Sequence, residues 1–460
     1  MRAVSVLVAV LLCTAGVAHA VVPSVQPARD DPAATPSTDR PSTNAHSAAP
    51  LVHVQSSSPP DGGVSVSETE RLPPDNDSVG PNVSRVLTLP EGAVDVREIT
   101  TVRLDAAGAT AGAVESVGTR LETAALRARL NQTNDTEARA ALIRRATRNL
   151  SERTAALRER QSRAIAAYNS GEIGAESFLV RLARIDETAT LLGDRVDVLS
   201  TAARTTLNDS DPVVRNLTRL RYELRTFDGP VRERVGAAVA GETDTAPRVF
   251  VATTDRGVTL TTLVNHTYVR EVYRGFLWES GGTGVSGSDV VNVTARGYPE
   301  IWSARQETTG VGSNASFVFT VTHPGGLLEA HIRGDNRRVF REIQRLSLSN
   351  YPLGPGKTRQ LTGLRMRVNR TYPGGPLRIA VVDAETGNPV NTTVSITPIG
   401  SVDNRPVGRT GSDGVLWTLS PGGSSRGYVI TAIEPETSRV VVLLTEPTDP
   451  TTVGDARRRG

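Results

Sequence analysis

Between residues 105 and 241 the apolar positions recur with the period of a helix. Phe178, Leu182, Ile185, Ala189, Leu192, Val196, Leu199 and Ala203 step by 4, 3, 4, 3 without a break, which is the seam spacing of a coiled coil. Upstream, Ile143, Leu150, Leu157 and Ala164 repeat every seven, with Thr147, Thr154, Gln161 and Tyr168 at the intervening seam positions. The glycines of Asn169-Ser170-Gly171-Glu172-Ile173-Gly174 suit a turn, so the two runs predict an antiparallel helical hairpin. Val114, Val117, Leu121, Ala124 and Ala128 mark an earlier helix on the same seam spacing. Val213, Leu217, Leu220, Leu224 and Phe227 mark a later one, with Pro212 in its first turn. Together these runs read as an elongated helical bundle.

On either side the period is lost or changes. Residues 21–83 hold 11 of the 28 prolines, with abundant Ser, Thr and Ala and no sustained periodicity; such a segment buries too little apolar surface to offset its ordering entropy and reads as a disordered stalk. A strand-like stretch covers 83–104. Beyond the helices the pattern is mixed. Residues 248–252 and 258–264 read as strands, Thr267 as the cap of a helix reaching Tyr273, and Asp289 as the cap of another ending near Trp302. Residues 316–322, the turn His323-Pro324-Gly325-Gly326 and 327–332 read as a β-hairpin. From 376 to 446, short β-branched runs separated by turn signals predict a compact sandwich.

The expected organisation is therefore a multidomain α+β chain. Its parts are a signal peptide at 1–20, a stalk at 21–83, a short strand and helical bundle with its coiled-coil hairpin at 84–245, a small α+β domain at 246–373, a β-sandwich at 374–447 and a tail at 448–460. The first part rests on the apolar run 3–17 behind Met1-Arg2 and on Ala18-His19-Ala20, which places small residues where a signal peptidase cuts, after Ala20. Cys13, the one cysteine of the chain, falls inside that leader, and the bulky Leu12 before it does not suit a lipoprotein site. The mature chain is expected to carry no disulfide, although export would permit one. No later apolar run approaches the ~20 residues a membrane span needs, so the protein is expected to be extracellular or held at the cell surface by another component.

Within the last segment, Leu377-Arg-Ile-Ala-Val-Val-Asp383, Thr386-Gly387, Pro389-Val390, Val394 and Gly408-Arg-Thr-Gly-Ser-Asp413-Gly414-Val415 resemble the carboxypeptidase regulatory-like module, departing from its pattern at the turn. The resemblance covers about 70 residues and implies a transthyretin-like β-sandwich without an active site. More broadly, the succession of leader, stalk, arginine-rich helices and β domains resembles haloarchaeal exported proteins of unknown function, although those are usually strongly acidic. The 317–332 hairpin with its flanking helices is similar to the PepSY-type domain of peptidase propeptides.

Composition changes this picture in two places. Only one of the 52 basic residues is a lysine, Lys357, and the formal net charge is +3. The lysine scarcity points to a GC-rich genome, and the near balance gives no ground for a nucleic-acid partner. Arginines between 120 and 234 interleave with nearly as many acidic residues, the pattern of a solvated face. Twelve of the 18 asparagines begin an Asn-x-Ser/Thr triplet, where about three or four would arise by chance. Asn76, Asn82, Asn131, Asn134, Asn149, Asn208, Asn216, Asn265, Asn292, Asn314, Asn369 and Asn391 are thus candidate glycosylation sites.

Catalytic chemistry is not evident. Gly354-Pro-Gly-Lys-Thr358 ends like a phosphate-binding loop but has Tyr351 where the motif needs glycine. His323, His331 and Glu329 on one hairpin suggest a metal site, yet histidines in turns and strands ordinarily only hydrogen-bond. Asp383 and Asp413 suit calcium by chemistry and turns by sequence context. No catalytic residue, cofactor or metal is assigned. The expected function is a non-enzymatic, exported, glycosylated surface protein, acting as spacer or interaction module through a protein partner or self-association. The alternative is a peptidase accessory or inhibitor acting through the PepSY-like region.

Overall fold

The computed structural model describes residues 85–90, 93–277, 287–313, 316–334, 336–401, 406–422 and 427–453, all within one compact unit, Leu72–Gly460. The expected signal peptide with its cleavage at Ala20, the whole of the stalk, and the acceptor candidates Asn76, Asn82 and Asn314 lie outside the described residues.

After strand β1 (Val96–Thr101) come five helices: α1 (Ala106–Gln132), α2 (Thr136–Asn169), α3 (Ala175–Thr206), α4 (Pro212–Leu224) and α5 (Pro230–Val239). Three of them start on an aspartate whose carboxylate accepts a backbone N–H that the helix leaves unpaired. Asp105 takes that of Gly108 at 2.9 Å, Asp135 that of Ala138 at 2.6 Å and Asp211 that of Val213 at 2.9 Å. Helix α2 ends in the turn at Gly171, whose φ of 76° favours glycine. The two seams of the predicted hairpin meet as expected: every seam residue named above on α2 and α3 is buried, with the Tyr168 and Phe178 rings stacked 4.6 Å apart beside the turn. Helix α1 is different. Val114, Val117 and Leu121 are exposed, and its inward residues are Gly108, Ser116, Thr119, Thr123, Leu126 and Leu130. The apolar face expected to enter the bundle points outward, because Leu126 and Leu130 bury the other face in the core, with ion pairs from Glu115 to Arg160 and from Glu122 to Arg153 and Arg195 alongside.

The helices cover one face of an eight-stranded antiparallel sheet. Its strands are β1, β2 (Arg248–Thr253), β3 (Gly257–Val264), β4 (Thr267–Arg274), then after helices α6 (Gly287–Gly297) and α7 (Pro299–Ser303) β5 (Glu307–Ser313), β6 (Ser316–His323), β7 (Gly326–Arg333) and β8 (Val339–Ser347). Their order is β1-β2-β3-β4-β8-β7-β6-β5, two meanders joined where β4 pairs with β8. Alternation sorts the side chains. Val249, Val251, Leu260, Val269 and Tyr273 join the helical core, whereas Phe250, Ala252, Tyr268, Val272 and Leu328 join Val290, Tyr298 and Ile301 of α6 and α7 on the other face. The helix expected to start at Thr267 is thus strand β4. Its period of two is hidden in the sequence by Arg270 and Glu271, both buried in the middle of the sheet. The helix expected from Asp289 to Trp302 begins at Gly287 and breaks at Tyr298, before Pro299.

The remaining strands form a sandwich: β9 (Gly356–Leu361), β10 (Leu364–Asn369), β11 (Pro376–Asp383), β12 (Thr393–Pro398), β13 (Pro406–Arg409), β14 (Val415–Leu419), β15 (Tyr428–Ile433) and β16 (Val440–Thr445). Two four-stranded sheets, β14-β11-β10-β9 and β13-β12-β15-β16, close on Met366, Val368, Ile379, Val381, Ile430 and Val441. The sandwich therefore begins at Gly356 rather than near 374, since β9 pairs with β10 and β10 with β11, and neither pairs with the preceding sheet. Hydrogen bonds from Tyr268 Oη and Thr261 Oγ1 to the Gly374 carbonyl, at 3.0 and 2.7 Å, hold it to that sheet.

Candidate functional site

Between the helical layer and the sheet lies a cleft of about 820 Å³, walled by α1, α3 and α5 and floored by β7 and β8. Small residues make room for it: Gly108 and Gly112 on α1, Ala183 on α3, Gly236 and Ala237 on α5. Charged groups enter from the floor and ends, including Glu329, Arg345, Arg225, Asp186 and Glu233. A register shift where β7 meets β8 pairs His331 with Arg341 but Ile332 with Val339. The bulge aims Arg341 at the helical layer, where its guanidinium donates to the carbonyls of Arg225 and Asp228.

His331 is fully buried beneath this cleft. Its Nε2 lies 2.6 Å from Glu329 Oε1 and 3.0 Å from Arg341 Nη1. A guanidinium only donates and a carboxylate only accepts, so one nitrogen cannot serve both; with the proton on Nε2 facing Glu329, Nδ1 is left without a partner. Burial, reinforced by the Arg341 charge, pushes the imidazole pKa down and keeps the ring neutral. Burial alone would raise Glu329, but His331 and Arg341 outweigh it and hold the carboxyl at about 2. Glu329 thus presents a permanent anion to the cleft. Among the described residues the ring nitrogens contact Glu329 and Arg341, and no hydroxyl or thiol is held against this histidine for activation.

The group poised near neutrality is Asp186 on α3. Burial raises its pKa to about 7, against the opposing pull of Arg232 and of the Gly229 N–H, which donates at 2.7 Å. Beside it, burial also raises Glu271 of β4, although Arg232 Nε bonds its Oε1 at 3.0 Å. Arg232 further donates to Gln161 Oε1 and the Phe227 carbonyl, both at 2.8 Å. Sequence reasoning missed this cluster. Its signals were Gly229-Pro230, which opens α5, and the charges inside an otherwise apolar β4.

On the opposite face a second buried network is structural. Arg270 pairs with Glu342 at 2.6 Å and donates to the Leu87 carbonyl at 2.6 Å, while Glu342 accepts from the Leu87 N–H at 2.7 Å and from Tyr298 Oη at 2.8 Å. Residues 85–87 are held there together with 451–453 of the expected tail, through the bonds Val86 N to Thr451 O and Val453 N to Val86 O.

The other sequence candidates are dispersed. His323 sits in the β6–β7 turn, where Nδ1 accepts from the Gly325 N–H, and β6 pairs Val318 rather than His323 with His331. The two histidines therefore do not converge, and among the described residues no group of three or more His, Cys, Asp or Glu is placed to hold a metal ion. Asp383 accepts from the Thr386 N–H and pairs with Arg439 at 2.7 Å, and Asp413 accepts from the Val415 N–H, both as turn formers. Lys357 lies on β9, so the Gly354–Thr358 stretch runs into a strand where a phosphate-binding loop would need a helix. Of the acceptor asparagines, Asn131, Asn134, Asn149, Asn208, Asn265, Asn292 and Asn391 are exposed. Asn216 is half-buried, with its amide on Ser151 and Arg219. Asn369 is buried and donates to the Gly354 carbonyl at 3.1 Å, which leaves no room for a glycan in the folded chain.

These parts define a multidomain α+β protein: helical layer, eight-stranded sheet and C-terminal sandwich. The chain belongs to the family described as domain of unknown function DUF7096, which matches residues 1–244. Residues 249–352 match the family of unknown function DUF7094, and residues 357–441 match the archaeal fibronectin-III type-like domain. The last two matches fall on strands β2 to β8 of the sheet and on the sandwich, while β1 lies within the first match. No curated protein and no solved structure matches the chain. Among the described residues no helix is long and apolar enough to cross a membrane.

Proposed function

We propose that this is an exported, non-enzymatic protein of the cell surface, N-glycosylated, whose helical layer and sandwich act as spacer and interaction modules. The observation that carries the reading is the acceptor set: seven of the nine sequon asparagines within the described residues are exposed, so a glycan attached there would project into solvent. The apolar leader ending in Ala18-His19-Ala20 supports export. Appended β-sandwiches of the carboxypeptidase regulatory-like kind, which the sequence of 377–415 resembles, lack active sites, and that favours a binding role for the sandwich. Among the described residues no hydroxyl or thiol lies against His331, which favours a non-enzymatic role for the cleft. Mass spectrometry of the native protein tests the reading. Glycan on several of the seven exposed asparagines and a mature N-terminus after Ala20 are expected, and unmodified peptides throughout would overturn it.

The cleft favours one alternative, a peptidase accessory or inhibitor acting through the sheet domain. Its volume is that of a small-ligand site, and Asp186 offers it a carboxyl that titrates near neutrality. Peptide or ester hydrolysis by the purified protein, lost in Glu329→Gln, would point instead to an enzyme.

A further inference from the structure

The outward face of α1 is apolar along its middle, from Val114 to Ala128. Val114, Val117 and Leu121 are 69%, 62% and 69% exposed and Leu104, just before the helix, 64%; they are the only large hydrophobics so exposed among the described residues before Phe276. Between them lie Ala107, Ala111, Gly118, Ala124, Ala125 and Ala128, all exposed. A helix free to rotate would turn such a face inward. This one is anchored the other way by Leu126 and Leu130, buried in the helical core, with the ion pairs of Glu115 and Glu122 and Ser116 Oγ on Glu187 beside them, so the fold presents the face to a partner.

We propose that the partner is a second copy of this chain, bound by an antiparallel pairing of α1 with α1. The spacing Val114, Val117, Leu121, Ala124, Ala128 is an unused coiled-coil seam, which another helix fills. Charge selects the register. Arg120 and Arg127 flank the seam on one side, and only small residues and Leu104 flank it on the other. Setting Val114 opposite Val117 of the second copy brings Arg120 against Ala113 and Arg127 against Ala106, beside the capping carboxylate of Asp105. The same register lays Ala111 on Gly118, where the lack of a side chain lets the backbones approach. Sliding by one heptad would put Arg120 against its own mate, a like-charge contact that costs stability. The helix has 27 residues, and in this register residues 106–125 of the two copies overlap, about 30 Å of seam; such a pair buries on the order of 1,000 Å², the lower bound of a specific contact.

The inference deepens the proposed surface role by naming how copies associate, and its test is independent of glycan attachment. Sedimentation equilibrium of the purified protein is expected to give a dimer at tens of micromolar. Val117→Glu and Leu121→Glu should each weaken it at least tenfold, with circular dichroism and melting temperature unchanged, since both side chains are exposed in the single chain. Oxidation of an Ala113→Cys/Arg120→Cys double variant should yield a covalent dimer. A monomer at every concentration, a dimer indifferent to both glutamates, or a monomer whose α1 face instead binds phosphatidylglycerol vesicles would overturn the proposal.

Discussion

Arg270 on β4 and Glu342 on β8 form a fully buried ion pair, 2.6 Å apart, at the junction of the two meanders of the central sheet. Each is held by a further group: Arg270 by the Leu87 carbonyl, Glu342 by the Leu87 N–H and Tyr298 Oη. Removing one partner strands a charge in the core. Arg270→Met is therefore expected to cost about 3–5 kcal/mol, and Tyr298→Phe, which deletes one hydrogen bond, about 1–2 kcal/mol. Urea titration reads both. Equal and small losses would mean that the pair is not isolated from water.

Asp186 sets a pH dependence. Its pKa rises from 3.8 unfolded to about 7 in the fold, so the folded state holds the proton more tightly. The resulting stabilisation is complete below pH 3.8, is lost as pH rises from 3.8 to about 7, and is absent above. Asp186→Asn keeps an acceptor for the Gly229 N–H and removes the titration. The variant is expected to be more stable than the parent above pH 7, by at most about 4 kcal/mol, with the gap closing toward pH 4. A constant difference across that range would exclude Asp186 as its source.

Gly229 is fixed by contact rather than by backbone angle. Its φ of 175° is extended, open to any residue, but a Cβ there would sit 1.9 Å from Glu271 Oε2. Gly229→Ala must push Glu271 off Arg232 or move the start of α5, at an expected cost of about 1–3 kcal/mol. The double variant Gly229→Ala/Glu271→Ala should lose less than the sum of the singles, and strict additivity would show that the contact is not what matters.

The hairpin of α2 and α3 was legible because its seam keeps one unbroken period along both helices, so burial and period coincide at Phe178, Leu182 and Val196. Helix α1 misled for the opposite reason. Periodicity marks an apolar face without saying what covers it, and the inward side of α1 is the one where Leu126 and Leu130 enter the core, with Glu115 and Glu122 pairing to arginines beside it. Strand β4 was hidden because both of its faces are buried and each carries a charge, Arg270 on one and Glu271 on the other, whose partners come from β8 and α5. The same long-range pairing made the cleft illegible: Asp186, Glu271 and Arg232 are 39 or more residues apart in sequence. The sandwich turns were readable, since Asp383 and Asp413 bond within three residues.

Asn369 separates the two uses of asparagine in this chain. Buried on β10, it holds the Gly354 carbonyl with its amide, and Asn369→Ala leaves that carbonyl and a small void unfilled, an expected loss of about 1–3 kcal/mol. Asn131, Asn149 and Asn292 are exposed on helices, and there the same replacement should change stability by less than about 0.5 kcal/mol, because alanine is the better helix former and no bond is lost. Melting curves of the four variants, made without glycan in a host that cannot attach one, compare fold contributions alone. If Asn369→Ala melts with the others, the amide is not holding the strand, and Asn369 returns to the acceptor set.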